Sequence, residues 1–230
     1  MGGNDDYRFL SLISYKSVKG RTEDMKSFEF PYGKGSQSLA LDERHIQYYL
    51  TGSPSDVISD EETAIRDSLR HPIGSRPLLD CVKPDGTIVI IVSDITRAVH
   101  TDRMLRAIAS ELEEAGISDD QITVLVALGT HRQQTEEETA AVCGKDMVRR
   151  LNVVQHDCHD DSQLVSVGTT SYGNDVRLNC LAVEADTVIL TGAISFHDMA
   201  GFGGGRKAVL PGIAGYDTTQ VCHEIKKIIS

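Results

Sequence analysis

Two side chains able to do chemistry bracket one glycine-rich segment. His197 precedes it, Lys207 closes it, and Gly201, Gly203, Gly204, Gly205 and Arg206 lie between them. An apolar run from Thr187 to Ile194 leads in, and Pro211-Gly212 leads out. Glycines this dense let the backbone take positive φ and let a ligand approach the chain closely. A lysine after such a loop can reach whatever the loop holds. Two familiar glycine motifs are excluded. A phosphate-binding P-loop ends in Gly-Lys followed by Ser or Thr, whereas Lys207 follows Arg206 and precedes Ala208. A dinucleotide fingerprint needs a third glycine where Arg206 stands, and Pro211 interrupts the helix it would open.

Other candidates lie upstream. His131 follows Gly129-Thr130 and precedes a helix start, and like His197 it can act as acid, base or metal ligand. Asp94 and Arg97 offer an anion-binding fork in which a carboxylate orients a guanidinium. As an isolated pair, a surface salt bridge is the favoured reading. His223 reads as an ordinary histidine inside the last helix. His156, Cys158 and His159, with Asp157, Asp160 and Asp161, resemble a metal cluster in composition, but their spacing fits no zinc pattern.

The elements that must position these groups alternate. Thr87–Val92 and Ile122–Ala127 are continuous apolar runs that predict buried strands, with further strands at Leu151–Val154 and Thr187–Thr191. Helices are predicted over Asp102–Ala115, from a Thr135-x-x-Glu138 capping box to Cys143, over Val176–Ala185 and over Tyr216–Ile229. Upstream, Ser59-x-x-Glu62 predicts a helix from Asp60 to Arg70. Phe28–Tyr32 and Ser38–Leu41 predict two short strands, Tyr7–Tyr15 a further one, and Lys16–Lys26 a polar linker. The alternation predicts an α/β fold with a mainly parallel sheet flanked by helices, Rossmann-like in type. Ligands in such sheets collect beyond the carboxyl ends of the strands. Asp94 and Arg97, His131, His156, and the segment from His197 to Lys207 each follow one of the four strands at that end.

Composition bounds the function. A chain of 230 residues with net charge −11 lacks the basic face of a general nucleic-acid binder. It has no run of about 18 apolar residues that would span a membrane, and no signal-peptide pattern at its start. Five scattered cysteines without a Cys-x-x-Cys pair suit reduced thiols. A cytoplasmic location is the default expectation.

Three stretches together resemble the nickel-dependent lactate racemase family. They are Ser93-Asp94-Ile95-Thr96-Arg97, Gly129-Thr130-His131-Arg132, and the run from His197 through Gly203-Gly204-Gly205-Arg206-Lys207 to Pro211-Gly212-Ile213-Ala214. A histidine ten residues before the lysine and another sixteen after it make that spacing specific. The similarity covers about residues 29 to 226, including His71-Pro72-Ile73-Gly74. It implies a racemase or epimerase of a 2-hydroxy acid, an isomerase working by reversible hydride transfer. It implies a nickel pincer nucleotide, a pyridinium thioamide and thiocarboxylate mononucleotide made by dedicated cofactor-synthesis enzymes and joined covalently to Lys207. By the same resemblance Gly203, Gly204, Gly205 and Arg206 bind the cofactor, His223 ligates nickel, and His131 and His197 alternate as acid and base. Asp94 and Arg97 bind the substrate. Imidazole and soft sulfur donors suit nickel, and the sulfurs would come from the cofactor.

Two departures from the family pattern adjoin the pocket. Asp198-Met199 stands where aromatic residues are usual, and Ala98-Val99-His100 where Pro-x-Pro is usual. They widen the expected substrate from lactate to polar or larger 2-hydroxy acids or sugar acids. Family members also carry a C-terminal domain that closes over the site. Residues 1–28 are therefore read as an N-terminal extension, and 29–230 as the N-terminal catalytic domain of a two-domain enzyme whose C-terminal domain is absent from this chain and whose activity needs it. The competing readings are a non-catalytic nucleotide- or anion-binding module of the same fold and, more weakly, a nicotinamide-dependent dehydrogenase, against which the failed fingerprint argues.

Overall fold

A computed structural model describes residues 25–50, 57–97, 99–197 and 200–224. The strand expected at Tyr7–Tyr15, and Ala98 and Asp198-Met199, lie outside the described residues, as does most of the expected linker Lys16–Lys26, whose last two residues open the first strand below. The chain divides into two compact units, residues 1–57 and 58–230. In the first, β1 (Met25–Tyr32) pairs antiparallel with β2 (Gly35–Asp42), and Phe28 faces Leu39 across the ladder. Phe28 is buried, with the Tyr49 ring 6.0 Å from its own.

The second unit opens with α1 (Glu61–Arg70). Its cap is Asp60, whose carboxylate accepts from the Thr63 N–H at 3.0 Å, rather than the expected Ser59. Both side chains can satisfy an open N–H of a first turn, and the helix begins one residue later than a Ser59 cap requires. Then follow β3 (Ile88–Ser93), α2 (Thr101–Glu114), β4 (Ile122–Ala127), α3 (Glu136–Cys143), α4 (Lys145–Arg150) and β5 (Asn152–Gln155). The Thr135 capping box forms in full: its hydroxyl accepts from Glu138 N–H and its own N–H donates to the Glu138 carboxylate. Arg70 reaches from α1 to Glu111 of α2 at 2.7 Å, giving that buried carboxylate its counter-charge.

The helix expected over Val176–Ala185 is a correction. A hairpin of β6 (Leu164–Thr169) and β7 (Asp175–Asn179) occupies its first half, and only α5 (Cys180–Glu184) is helical. Asn179 makes the break, because its side chain accepts from Leu181 N–H and caps α5. The chain continues through β8 (Thr187–Leu190), the two-residue strands β9 (Phe196–His197) and β10 (Gly201–Phe202), and α6 (Tyr216–Cys222). His223 caps the carboxyl end of α6 instead of lying inside it.

The four long-range strands form one parallel sheet in the order β5-β4-β3-β8. Alternation along β3 sends Ile88, Ile90 and Val92 to one face, where Leu105, Ile108 and Leu112 of α2 and Val142 and Met147 of α3 and α4 cover them. Val89 and Ile91 go to the other face, against Ile213, Leu181, Ala182 and Val209. Burying each large aliphatic side chain contributes about 1.5–3 kcal/mol. The two covered faces make the sheet a fixed floor, so the loops at its carboxyl end start from set positions. Among the described residues, no helix is long and apolar enough to cross a membrane.

Candidate active site

Asp94 is the first residue past β3 and is buried. The chain turns tightly behind it, Arg97 N–H donating to Asp94 O at 3.0 Å. One carboxylate oxygen accepts from the Thr96 hydroxyl at 2.7 Å, and the other lies 2.5 Å from His131 Nδ1. His131 sits on the neighbouring loop past β4, in a turn closed by its own N–H to Leu128 O. A carboxylate only accepts, so Nδ1 carries the proton and, in the neutral ring, Nε2 keeps its lone pair. The imidazole is 49% exposed while the carboxylate behind it is 5% exposed. The ring thus has one nitrogen anchored in the protein and, among the described residues, the other open outward.

The expected Asp94–Arg97 fork does not form. Asp94 serves His131 and Thr96, and among the described residues no ion pair or side-chain hydrogen bond holds the exposed Arg97 guanidinium. That leaves Arg97 available to an anion. Arg132 is committed elsewhere, to Glu138 at 2.7 Å, and holds that carboxyl down at about 2.

Two residues with no motif to announce them tie these loops together. The Gln134 side-chain oxygen accepts from Ile95 N–H at 2.5 Å, beside Asp94. Gln155, at the end of β5, accepts from Gln134 N–H at 2.7 Å and donates to Gln134 O at 3.1 Å. The loops after β3, β4 and β5 are thereby bonded into one platform. Their position just past predicted strands was the only available signal, because neutral amides have no periodicity.

The glycine segment crosses the same edge. Gly203 N–H donates to Ser195 O at 2.7 Å. A Cβ at Gly204 would lie 2.8 Å from Ala193 O, and its φ of 70° is left-handed, so only glycine fits there. A Cβ on Gly192 would approach Gly204 Cα and Ser93 Oγ, and Gly129 N–H donates to Gly212 O at 2.9 Å. The segment is therefore pinned to the loops after β3 and β4. Its 3-10 turn, Gly205–Ala208, carries Arg206 exposed and Lys207 half-buried. His197 lies opposite Gly201 in the β9–β10 ladder, and its Nδ1 accepts from Ala200 N–H at 3.2 Å. In a neutral ring that leaves the proton on Nε2, the reverse of His131. His223 is half-buried at the end of α6, its N–H donating to Thr219 and Gln220 carbonyls. Asp94 and His131 thus meet directly, and Gly203 to Lys207 form one pinned turn. Arg97, His197 and His223 are placed by their backbones.

The residues of the His156 cluster do not gather around one point. His156 is buried, donates from Nε2 to Ala214 O at 3.0 Å and accepts at Nδ1 from the Asn179 amide at 3.2 Å. Burial pushes its pKa below 6.5, against the partial support of the Ala214 carbonyl. His159 instead stacks on Tyr216 at 4.7 Å, and burial raises the Cys158 thiol pKa.

The residues present can be tested against a nickel-bearing nucleotide. Among the described residues, no three His, Cys, Asp or Glu side chains gather to hold a metal ion. A nickel here would take an imidazole from the chain and its remaining donors from the cofactor, as a pincer ligand provides. Beside Lys207 and Arg206, a Cβ on Gly205 would meet nothing within 4 Å, so the turn has an open side flanked by two cations. A phosphate-bearing group with a site for amine attachment fits that chemistry.

Comparison with known proteins agrees in family and in fold. Residues 32–229 match the model of the lactate racemase N-terminal domain. The chain is 37% identical over 202 residues to a lactate racemase of Lactiplantibacillus plantarum, covering 86% of this chain and 47% of that protein. It is 36% identical over 192 residues to a lactate racemase of Thermoanaerobacterium thermosaccharolyticum, covering 83% and 45%. The chain spans about half the length of the curated relatives it matches. The solved lactate racemase apoprotein of T. thermosaccharolyticum superposes with a TM-score of 0.73 at 34% identity, over 84% of this chain and 45% of that one. A protein from Thermotoga maritima shares the fold, with a TM-score of 0.59 at 24% identity over 76% of this chain and 42% of that one.

Proposed function

The chain belongs to the lactate racemase N-terminal domain family, and from that membership we propose that it is the cofactor-binding and acid–base part of a 2-hydroxyacid racemase or epimerase. The observation that carries the reading is the 2.5 Å contact between buried Asp94 and half-exposed His131 at the sheet's carboxyl edge, beside the turn that bears Lys207.

The side chains divide the work by their hydrogen bonds. Arg97, whose guanidinium has no protein partner among the described residues, takes the substrate carboxylate. His131 accepts the C2 hydroxyl proton at Nε2, because Asp94 holds Nδ1–H and stabilises the imidazolium that results. His197 is the second acid–base group: as the imidazolium it returns a proton to oxygen on the opposite face, which requires its Nδ1 to give up the contact with Ala200 N–H. The roles exchange for the other enantiomer, since the two hydroxyls point to opposite sides. A nickel pincer nucleotide, when bound, supplies reversible hydride acceptance from C2. Lys207 is its attachment point, the turn from Gly203 to Arg206 its cradle, and His223 the protein's donor to nickel. A C-terminal domain of the same protein completes and closes the site.

The test uses the full-length protein co-expressed with the cofactor-synthesis enzymes. The expected result is a mass increment on Lys207 and interconversion of the enantiomers of lactate or a larger 2-hydroxy acid, both lost in Lys207→Ala. A loaded protein that racemises no 2-hydroxy acid would return the site to a binding role.

A further inference from the structure

Gln134 holds the carboxylate's loop and the histidine's loop in one register. It lies three residues after His131, yet its side-chain oxygen is spent on Ile95 N–H, the peptide next to Asp94, at 2.5 Å. Its own backbone is gripped on both sides by Gln155, at 2.7 and 3.1 Å. Its amide nitrogen lies 3.4 Å from the Thr139 hydroxyl, which donates in turn to Thr135 O. The residue is 7% exposed, a costly place for an amide unless its bonds are made. Among the described residues, the Asp94 carboxylate has no comparable anchor of its own: its two oxygens go to Thr96, in the same turn, and to His131.

We propose that Gln134, braced by Gln155, is a positioning residue for the acid–base pair: it fixes where Asp94 stands and so which nitrogen of His131 carries the proton. The proposal rests on the reading of His131 as acid and base, but the geometric claim does not need turnover to be tested. A loop free to move by about 1 Å would loosen the 2.5 Å bond, and an imidazole without that acceptor drifts toward the Nε2–H tautomer. In that tautomer Nε2 is no longer a base.

The experiment is ¹⁵N NMR of the full-length protein with labelled histidine, at a pH where His131 is neutral, alongside turnover. Gln134→Met keeps the volume and removes the acceptor. Gln134→Glu restores an acceptor for Ile95 N–H. Gln155→Leu removes the brace from the other side. The expected result is a His131 signal of Nδ1–H type in the parent protein and in Gln134→Glu. It shifts toward Nε2–H in Gln134→Met and partly in Gln155→Leu, with kcat down roughly 10- to 100-fold and KM changed less. A shifted tautomer with undiminished turnover would uphold the positioning and overturn the acid–base reading. A parent-like tautomer in both Gln134→Met and Gln155→Leu, whatever their thermal stability, would overturn the proposal.

Discussion

His131 and His156 follow neighbouring strands, β4 and β5, on the same edge of the sheet, and they have opposite fates. His131 gives its Nδ1 proton to a buried carboxylate and leaves Nε2 at a half-exposed surface. His156 is buried, with Nε2 donating to the Ala214 carbonyl and Nδ1 accepting from Asn179. Among the described residues, both nitrogens of the second ring are used by the protein, and only one of the first. Position at the carboxyl end of a strand therefore does not make a histidine catalytic. What separates the two is whether the partner set leaves a nitrogen for something outside the protein. His156 instead ties the ends of β5 and β7 to the segment between Lys207 and His223.

The largest expected effect follows from that unused nitrogen. His131→Asn keeps an N–H near the Nδ1 position for Asp94 but has no Nε2. It should cut turnover of the loaded full-length protein by about 10²–10⁴-fold, equivalent to roughly 3–5.5 kcal/mol of barrier, while leaving the melting temperature within a few degrees. Substrate-saturated kinetics beside a thermal melt separate the two readouts. A similar loss from His156→Asn, at unchanged stability, would erase the distinction.

The second effect belongs to stability. His156→Leu leaves the Ala214 carbonyl and the Asn179 amide buried without their partner, and should cost about 2–4 kcal/mol in chemical denaturation. The same pin should give the protein an acid dependence. Burial lowers the His156 pKa below 6.5, so between the folded value and 6.5 the unfolded chain binds the extra proton. Its contribution is complete above pH 6.5 and declines as the pH falls below it. Denaturation midpoints should drop between pH 7.5 and about 5 in the parent, and less so in His156→Leu. The depressed carboxyl of Glu138 does not blur that window, because its contribution declines only as pH falls below its ordinary value of 4.5.

Much of this arrangement was readable from residue order, for physical reasons. Buried parallel strands have to be apolar on both faces, so β3 and β4 stand out as continuous runs. A parallel sheet then carries every following loop to one edge, which brought Asp94, His131 and the glycine segment together on paper. The β6–β7 hairpin was not legible. Its Ser, Gly and Thr residues dilute the alternation, and β7 runs directly into α5 with only Asn179 to mark the change. The tautomers of His131 and His197 were beyond reach as well, since a ring's proton is set by neighbours distant in sequence or by a local N–H such as that of Ala200. Gln134 and Gln155 escaped because an amide becomes structural only through the particular N–H it meets. The same holds for the supposed metal cluster: His156 and His159 are close in sequence, but one faces Ala214 and the other Tyr216.

The smallest effect sharpens the contrast from the other side. If Asp94 and Gln134 hold His131 in place, then the helix that follows it does not. Thr135→Ala removes the hydroxyl that accepts from Glu138 N–H at 3.2 Å and so weakens the start of α3. The expected cost is about 1 kcal/mol of stability, seen as a shifted denaturation midpoint. Turnover at saturating substrate should stay within about twofold, a difference of less than 0.5 kcal/mol in barrier. A drop in kcat as large as that of Gln134→Met would mean that the first turn of α3, and not the glutamine, sets the histidine. The platform would then have to be redrawn as a helix terminus with two accessory amides.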